Sequence, residues 1–145
     1  MRHGFTGVLL VVAVLLAAAE RPAAHHAVQA AFNQDDHATL TGVLTKVLWI
    51  NPHVRWFLDV KDETGKVTTW TISGAGPNGF RDIGISGRDV FKTGETYTAI
   101  VARAIDRSPN GYILTFVLPD GRKIDLWHQY KSETGGTATG ATEPR

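Results

Sequence analysis

His53–Lys61 reads HVRWFLDVK, and its alternation decides the fold. Val54, Trp56, Leu58 and Val60 recur at every second position, with Arg55, Phe57 and Asp59 between them. A period of two sends successive side chains to opposite faces, so the segment predicts a half-buried β-strand. Upstream, Thr39–Ile50 (TLTGVLTKVLWI) is rich in β-branched residues and predicts another strand, with Gly42 marking a bulge or sharp bend. Asn51-Pro52 separates the two, because proline has no N–H to donate to a ladder.

Working outward, Lys66–Ile72 predicts a third strand, joined to the second by the hairpin connection Asp62-Glu63-Thr64-Gly65. Ser73–Gly94 is glycine-rich without sustained alternation. It predicts one short helical turn near Pro77–Arg81 and another where Ser86 caps a turn carrying Asp89. Strands return at Thr96–Ala104, Gly111–Leu118 and Arg122–Trp127. Asn110-Gly111 and Asp120-Gly121 are the turn dipeptides around them. The expected fold is mainly β: a small, partly open, OB-like barrel of five to six strands, with a short helical or irregular connection after the third. A sandwich is the alternative, but it usually needs about seven strands.

Residues 1–24 read as a signal peptide. Arg2 and His3 give a positive start, Val8–Leu16 is unbroken apolar sequence, and Ala17-Ala18-Ala19 offers small residues for cleavage after 19, with a second cut site after 24. The apolar run falls short of the roughly 20 residues that a transmembrane helix needs. The expected organisation is a signal peptide over 1–24, a flexible lead-in over 25–38, a β-barrel domain over 39–131 and a disordered tail over 132–145. A periplasmic or secreted location follows, with no membrane span after processing.

The chain has 145 residues, a formal charge of +1 and no cysteine. Setting Arg2, Arg21 and Glu20 aside leaves equal numbers of acidic and basic side chains, which argues against a nucleic-acid partner. The lack of cysteine excludes disulfides, thiolate metal sites, a cysteine nucleophile and a lipid-acceptor cysteine. No serine sits in a nucleophile elbow, Ser73-Gly74-Ala75-Gly76 lacks the lysine of a phosphate loop, and Asp59, Asp62 and Glu63 do not form a paired acid–base arrangement. The expectation is a protein that is not an enzyme.

Two constellations remain. Trp49, Trp56, Trp70 and Trp127 suit either a core or a ring-stacking ligand site. Trp56 shares the apolar face of its strand, whereas Trp49 and Trp127 stand beside strand ends. Trp49, Asn51, His53 and Trp127 are therefore the candidate ligand-binding residues. The histidines offer a different chemistry, since imidazole ligates copper, zinc and nickel. His25, His26 and His53 are the candidate metal ligands, with copper the preferred ion for a nitrogen-rich tetragonal set. The plain alternative is that the His pair is solvated and that His53 hydrogen-bonds a turn carbonyl.

His25-His26, Asp35-Asp36, LTGVLTKVLWINPHVRWFLDVKD, Gly76-Pro77-Asn78 and LPDGRK together resemble an uncharacterised family of exported bacterial proteins, a domain of unknown function. The resemblance spans roughly His25–Lys123, and Trp49-Ile50-Asn51-Pro52-His53 is its most specific piece. It implies export, an OB-like fold and a mature chain that begins near the histidine pair. Ala27-Val28-Gln29-Ala30 stands where the family pattern has Ser-Phe. The functional expectation is a non-catalytic exported binding domain whose ligand is a small molecule, sugar, peptide or protein. The alternatives are a periplasmic copper-binding protein and an assembly partner that adds a strand at an exposed barrel edge.

Overall fold

A computed structural model of the chain describes residues 28–83, 85 and 89–126. Six strands form one sheet: β1 Phe32–Leu48, β2 Arg55–Lys61, β3 Val67–Ser73, β4 Thr96–Ala104, β5 Asn110–Val117 and β6 Lys123–Asp125. One short helix, α1 Pro77–Asp82, follows β3, with proline in its first turn. The sheet order is β3-β2-β1-β4-β5-β6, with antiparallel neighbours. A further, parallel pairing joins β3 to β5 through Thr71–Asn110, Ile72–Gly111 and Ser73–Tyr112. That pairing turns the sheet into a ring. Further along, β5 pairs with β6 instead, over Thr115–Val117, so the ring stays partly open beside the first half of β3.

β1 makes the ring possible because it serves two neighbours in turn. Phe32–Val43 pairs with β4 and Gly42–Leu48 pairs with β2, so both partnerships meet at Gly42 and Val43. A Cβ at Gly42 would stand 2.5 Å from the Asp59 carbonyl oxygen, closer than any real contact, so glycine is required by the approach of β2. The irregularities expected there fall to either side: the register with β2 slips between Leu44 and Lys46, and that with β4 between Asn33 and His37. The second slip also explains why β1 starts at Phe32 instead of Thr39. Polar Gln34, Asp35 and Asp36 bulge out of the ladder and hide the strand periodicity on their N-terminal side. The flexible lead-in expected over 25–38 is thus strand from Phe32 onward, preceded by helical backbone over residues 28–31.

The alternation of β2 holds: Trp56 and Leu58 are fully buried while Arg55 points out. Inside the ring Trp56 stands among Phe116, Phe80 and Phe91, at centroid distances of 5.1, 5.4 and 5.4 Å in edge-on or tilted geometry. Leu40, Leu44, Ile72, Tyr97, Val101 and Ile113 fill the remaining space. Such aromatic pairs contribute about 0.5–1.5 kcal/mol each beyond area burial. The Trp56 indole N–H is buried without an acceptor among the described residues, which offsets part of that gain. A second, smaller cluster lies apart from this interior: Val28 packs with Ala102, Tyr112 and Leu114, flanked by Phe32 and Ile100.

The turns divide by mechanism. Gly65 and Gly121 take positive φ as their turns require. In the first, Asp62 accepts from the Thr64 amide, the Thr64 hydroxyl and the Lys66 amide. Asn110-Gly111 is not the turn expected of it. Both residues are the first of β5, and the chain reverses over 105–109, where Arg107 takes positive φ. Gly111 is small because a Cβ there would sit 2.7 Å from a Val101 methyl. The turn expected around Ser86 lies outside the described residues, as do the signal segment and the tail.

Substituting Gly42→Ala is expected to destabilise the domain by about 1–3 kcal/mol, the cost of overpacking against a neighbour that cannot yield. Urea unfolding reads this as a lower midpoint with unchanged slope, and an unaltered midpoint would contradict the close approach of β1 and β2.

Candidate functional site

The outward parity of β2 and β3 places Arg55, Thr71 and Ser73 on one surface, with Arg55 paired to Ser73 and Phe57 to Thr71 across the ladder. Ring closure then brings the β4–β5 loop against them, since the Thr71 amide donates to the Pro109 carbonyl at 3.0 Å. The result is an open cleft of about 480 Å³ lined by Arg55, Thr71, Ser73, Asp106, Ser108 and Asn110, with Phe32 and Ile105 as apolar flanks. It lies outside the filled aromatic interior.

The loop is held from three sides. The Asp106 carboxylate accepts from the Ser108 amide at 3.0 Å and from the Ser108 hydroxyl at 2.5 Å, while the Asn110 side-chain amide donates to the Ser108 oxygen at 2.8 Å. Arg107 pairs with Asp36, which also faces Arg103 at 3.6 Å, so the bulge in β1 serves as an anchor for the loop. The Ile105 amide donates to the Ala31 carbonyl at 2.9 Å, tying in the segment before β1. The Ser108 hydroxyl and amide hold the Asp106 carboxyl below its ordinary value of 3.8. It therefore carries full negative charge across the neutral range. Among the described residues Arg55 makes no ion pair, and Asp106 is paired only with Ser108.

The β1–β2 turn lies beside the end of β3. His53 donates its Nδ1–H to the Gly74 carbonyl at 2.9 Å, because a carbonyl can only accept. Val54 exchanges backbone bonds with Gly74 and Ala75, at 3.0 and 3.2 Å, and Gly76 passes so close to the Pro52 carbonyl that a Cβ would stand 2.7 Å away. The Asn51–Pro52 peptide is cis and Asn51 is exposed. The turn is therefore fastened to the segment after β3, as the plain reading of His53 expects.

The candidate ligand-binding residues divide accordingly. Trp49 is half-buried, its ring edge-on to Trp56 and Phe80 at 6.5 and 5.7 Å. With Ile50, Phe91 and Lys92 it lines a different open cleft, of about 660 Å³. His53 stands 6.2 Å from the Tyr112 ring. Trp127, His25 and His26 lie outside the described residues, within which no three His, Asp or Glu side chains converge as a metal site.

Residues 12–112 match the model of a family of unknown function (DUF6152). The chain belongs to this family. The matched stretch contains β1 to β4, the start of β5 and every residue that lines the Arg55 cleft. No curated protein matches the chain significantly.

Sequence reasoning placed Arg55 on the outward face but gave it no role. Asp106-Arg107-Ser108 carried a signal, since an Asp two residues before Ser is a side-chain-capped turn. Nothing local shows that this turn lies over β3.

Replacing Asp106 with Ala removes both Ser108 bonds, so amide exchange at Ser108 and Thr71 should quicken while that of interior amides such as Ile113 holds. Because folding lowers the Asp106 value, its contribution is present above the ordinary carboxylate value and is lost as pH falls through the lowered one. In the wild-type protein, exchange at these two amides corrected for intrinsic rates should therefore stay flat down to about pH 4 and rise only below it. Equal protection in the Ala variant would contradict the role given to Asp106.

Proposed function

We propose that this protein is an exported, non-catalytic binding domain that takes its ligand in the cleft between the β2–β3 surface and the β4–β5 loop. The observation that carries the reading is the cleft itself: outward Arg55, Thr71 and Ser73 under a loop braced by Asp106, Ser108 and Asn110. The interior is filled by Trp56, Phe80, Phe91 and Phe116, so a ligand must bind outside the ring. Braced polar groups around an open cleft lower the ordering cost of binding. The ring β1-β2-β3-β5-β4, with a helix after β3, also supports an OB-type reading. In that architecture the β2–β3 face and the loops after β1 and β4 are the binding surfaces. Export rests on the apolar Val8–Leu16 run and the alanines after it.

Amide chemical shifts of the processed protein provide the test, with L-alanyl-L-alanine, citrate and maltose as probes of three chemistries. At least one probe is expected to move Arg55, Thr71, Ser73 and residues 105–110 in a saturable way. Saturable shifts confined to Trp49, Ile50 and Phe91, or none with any probe, would overturn the assignment of this cleft.

A second reading is copper binding by His25, His26 and His53. What favours it is the small outer cluster, in which Val28 packs with Tyr112, whose ring is 6.2 Å from His53. His26 precedes Val28 by two residues, about 7 Å of extended chain. With Nδ1–H given to Gly74, the neutral His53 ring carries its lone pair on Nε2, the arrangement found when a backbone carbonyl orients a metal-ligating histidine. Calorimetric titration of the processed protein with copper(II) should then give one-to-one binding that His53→Ala weakens at least tenfold. Binding that is absent, or unchanged in the variant, would remove this reading.

A further inference from the structure

Arg55 and Asp106 line the same cleft with opposite charges, yet they do not pair with each other. Both side chains are exposed, where an ion pair gains little, so a restraint on one of them is enough to leave them apart. Here the restraint is visible on one side. Asp106 is fixed by its two bonds from Ser108, and both occupy a single carboxylate oxygen, Oδ1. Oδ2 accepts no hydrogen bond from any other described residue. Arg55 sits at the first position of β2, paired to Leu48 on one side and Ser73 on the other, so its backbone cannot drift toward the loop. Of the other charged groups near the loop, Arg103 and Arg107 share the single carboxylate of Asp36. Thr71 and Ser73 add hydroxyls to the same lining, and Ile105 is 55% exposed, a large apolar side chain left in solvent.

We propose that the cleft is a site for a small zwitterion, an amino acid or a short peptide, whose carboxylate is clamped by the Arg55 guanidinium and whose ammonium is held by the second carboxylate oxygen of Asp106. The inference rests on the assignment of this cleft as the binding site and adds the class of its ligand. A guanidinium presents a planar fork that matches a carboxylate in bidentate fashion, and such charge-assisted bonds are about twice as strong as neutral ones. An ammonium suits an isolated carboxylate oxygen, since it can rotate its three donors. Ser73 and Thr71 offer hydroxyls to the middle of the ligand, where an amide or a backbone carbonyl stands. Ile105 and Phe32 give an apolar wall for a side chain. A free anion would meet the Asp106 charge, and a free cation would meet Arg55. Only a ligand carrying both charges satisfies the two together.

The experiment is an amide-shift titration of the processed, full-length mature protein with L-alanine, L-alanyl-L-alanine, N-acetyl-L-alanine and L-alaninamide. It is run on wild type, Arg55→Gln and Asp106→Asn. Asparagine keeps the oxygen that Ser108 binds, so the loop stays folded while its charge is lost; unchanged exchange at the Ser108 amide confirms this. The expected result is that at least one zwitterion binds the cleft at least tenfold more tightly than both blocked compounds. Arg55→Gln should weaken the zwitterion at least tenfold. Asp106→Asn should weaken the zwitterion but not N-acetyl-L-alanine. Two results would overturn the proposal while leaving the cleft as a binding site: N-acetyl-L-alanine binding as well as the zwitterions, which makes it an anion site, or maltose moving these residues when no zwitterion does. No saturable shift at the cleft with any compound, including citrate and maltose, would overturn the cleft assignment itself.

Discussion

The parallel pairing of Thr71–Ser73 with Asn110–Tyr112 is the constraint on which the rest of this structure depends. Without it the six strands are an open, twisted sheet with two free edges. With it the inner face of every strand must share one small interior, and that interior must be filled. Trp56 stands at its centre among Phe80, Phe91 and Phe116, at the cost of a buried indole N–H with no acceptor among the described residues. A three-residue contact thereby decides which surfaces stay open. The interior is occupied, so the binding proposed for this protein falls to the outward face and to the loops that closure brings over it.

Closure also explains why residues far apart in sequence form one cleft. Thr71 and Ser73 belong to β3, Arg55 to the strand beside it, and Asp106, Ser108 and Asn110 to the reversal that feeds β5 into the parallel pair. The Thr71 amide bond to Pro109 is the direct link between strand and loop. From the far side, the bulge in β1 presents Asp36 to Arg103 and Arg107. Residues that look like an irregular stretch of β1 are therefore part of how the loop is positioned.

Much of the fold was legible because it is written in local periodicity. The alternation of Val54, Trp56, Leu58 and Val60 identified β2 and its inner face, and Pro77 marked the short helix. The misreadings have physical causes. Gly111 looked like a turn glycine because glycine serves both positive φ and close packing, and only contact with Val101 distinguishes them. The start of β1 was hidden by a bulge whose polar residues serve a distant loop. The candidate cleft was less legible than the fold. Trp49 stood out as an aromatic beside a strand end; it is half-buried, one part of its ring against Trp56, Phe80 and Phe91, and it lines a cleft of its own. Arg55 was visibly outward, but its partners in the cleft come from a long-range parallel contact that leaves no trace in local sequence.

Cross-strand nuclear Overhauser contacts between β3 and β5 are the sharpest test of ring closure. Closure requires backbone contacts in parallel register, linking Thr71 with Asn110, Ile72 with Gly111 and Ser73 with Tyr112, together with a protected Thr71 amide. Absence of these contacts, or an antiparallel register between the two strands, would contradict ring closure and with it the cleft built upon it.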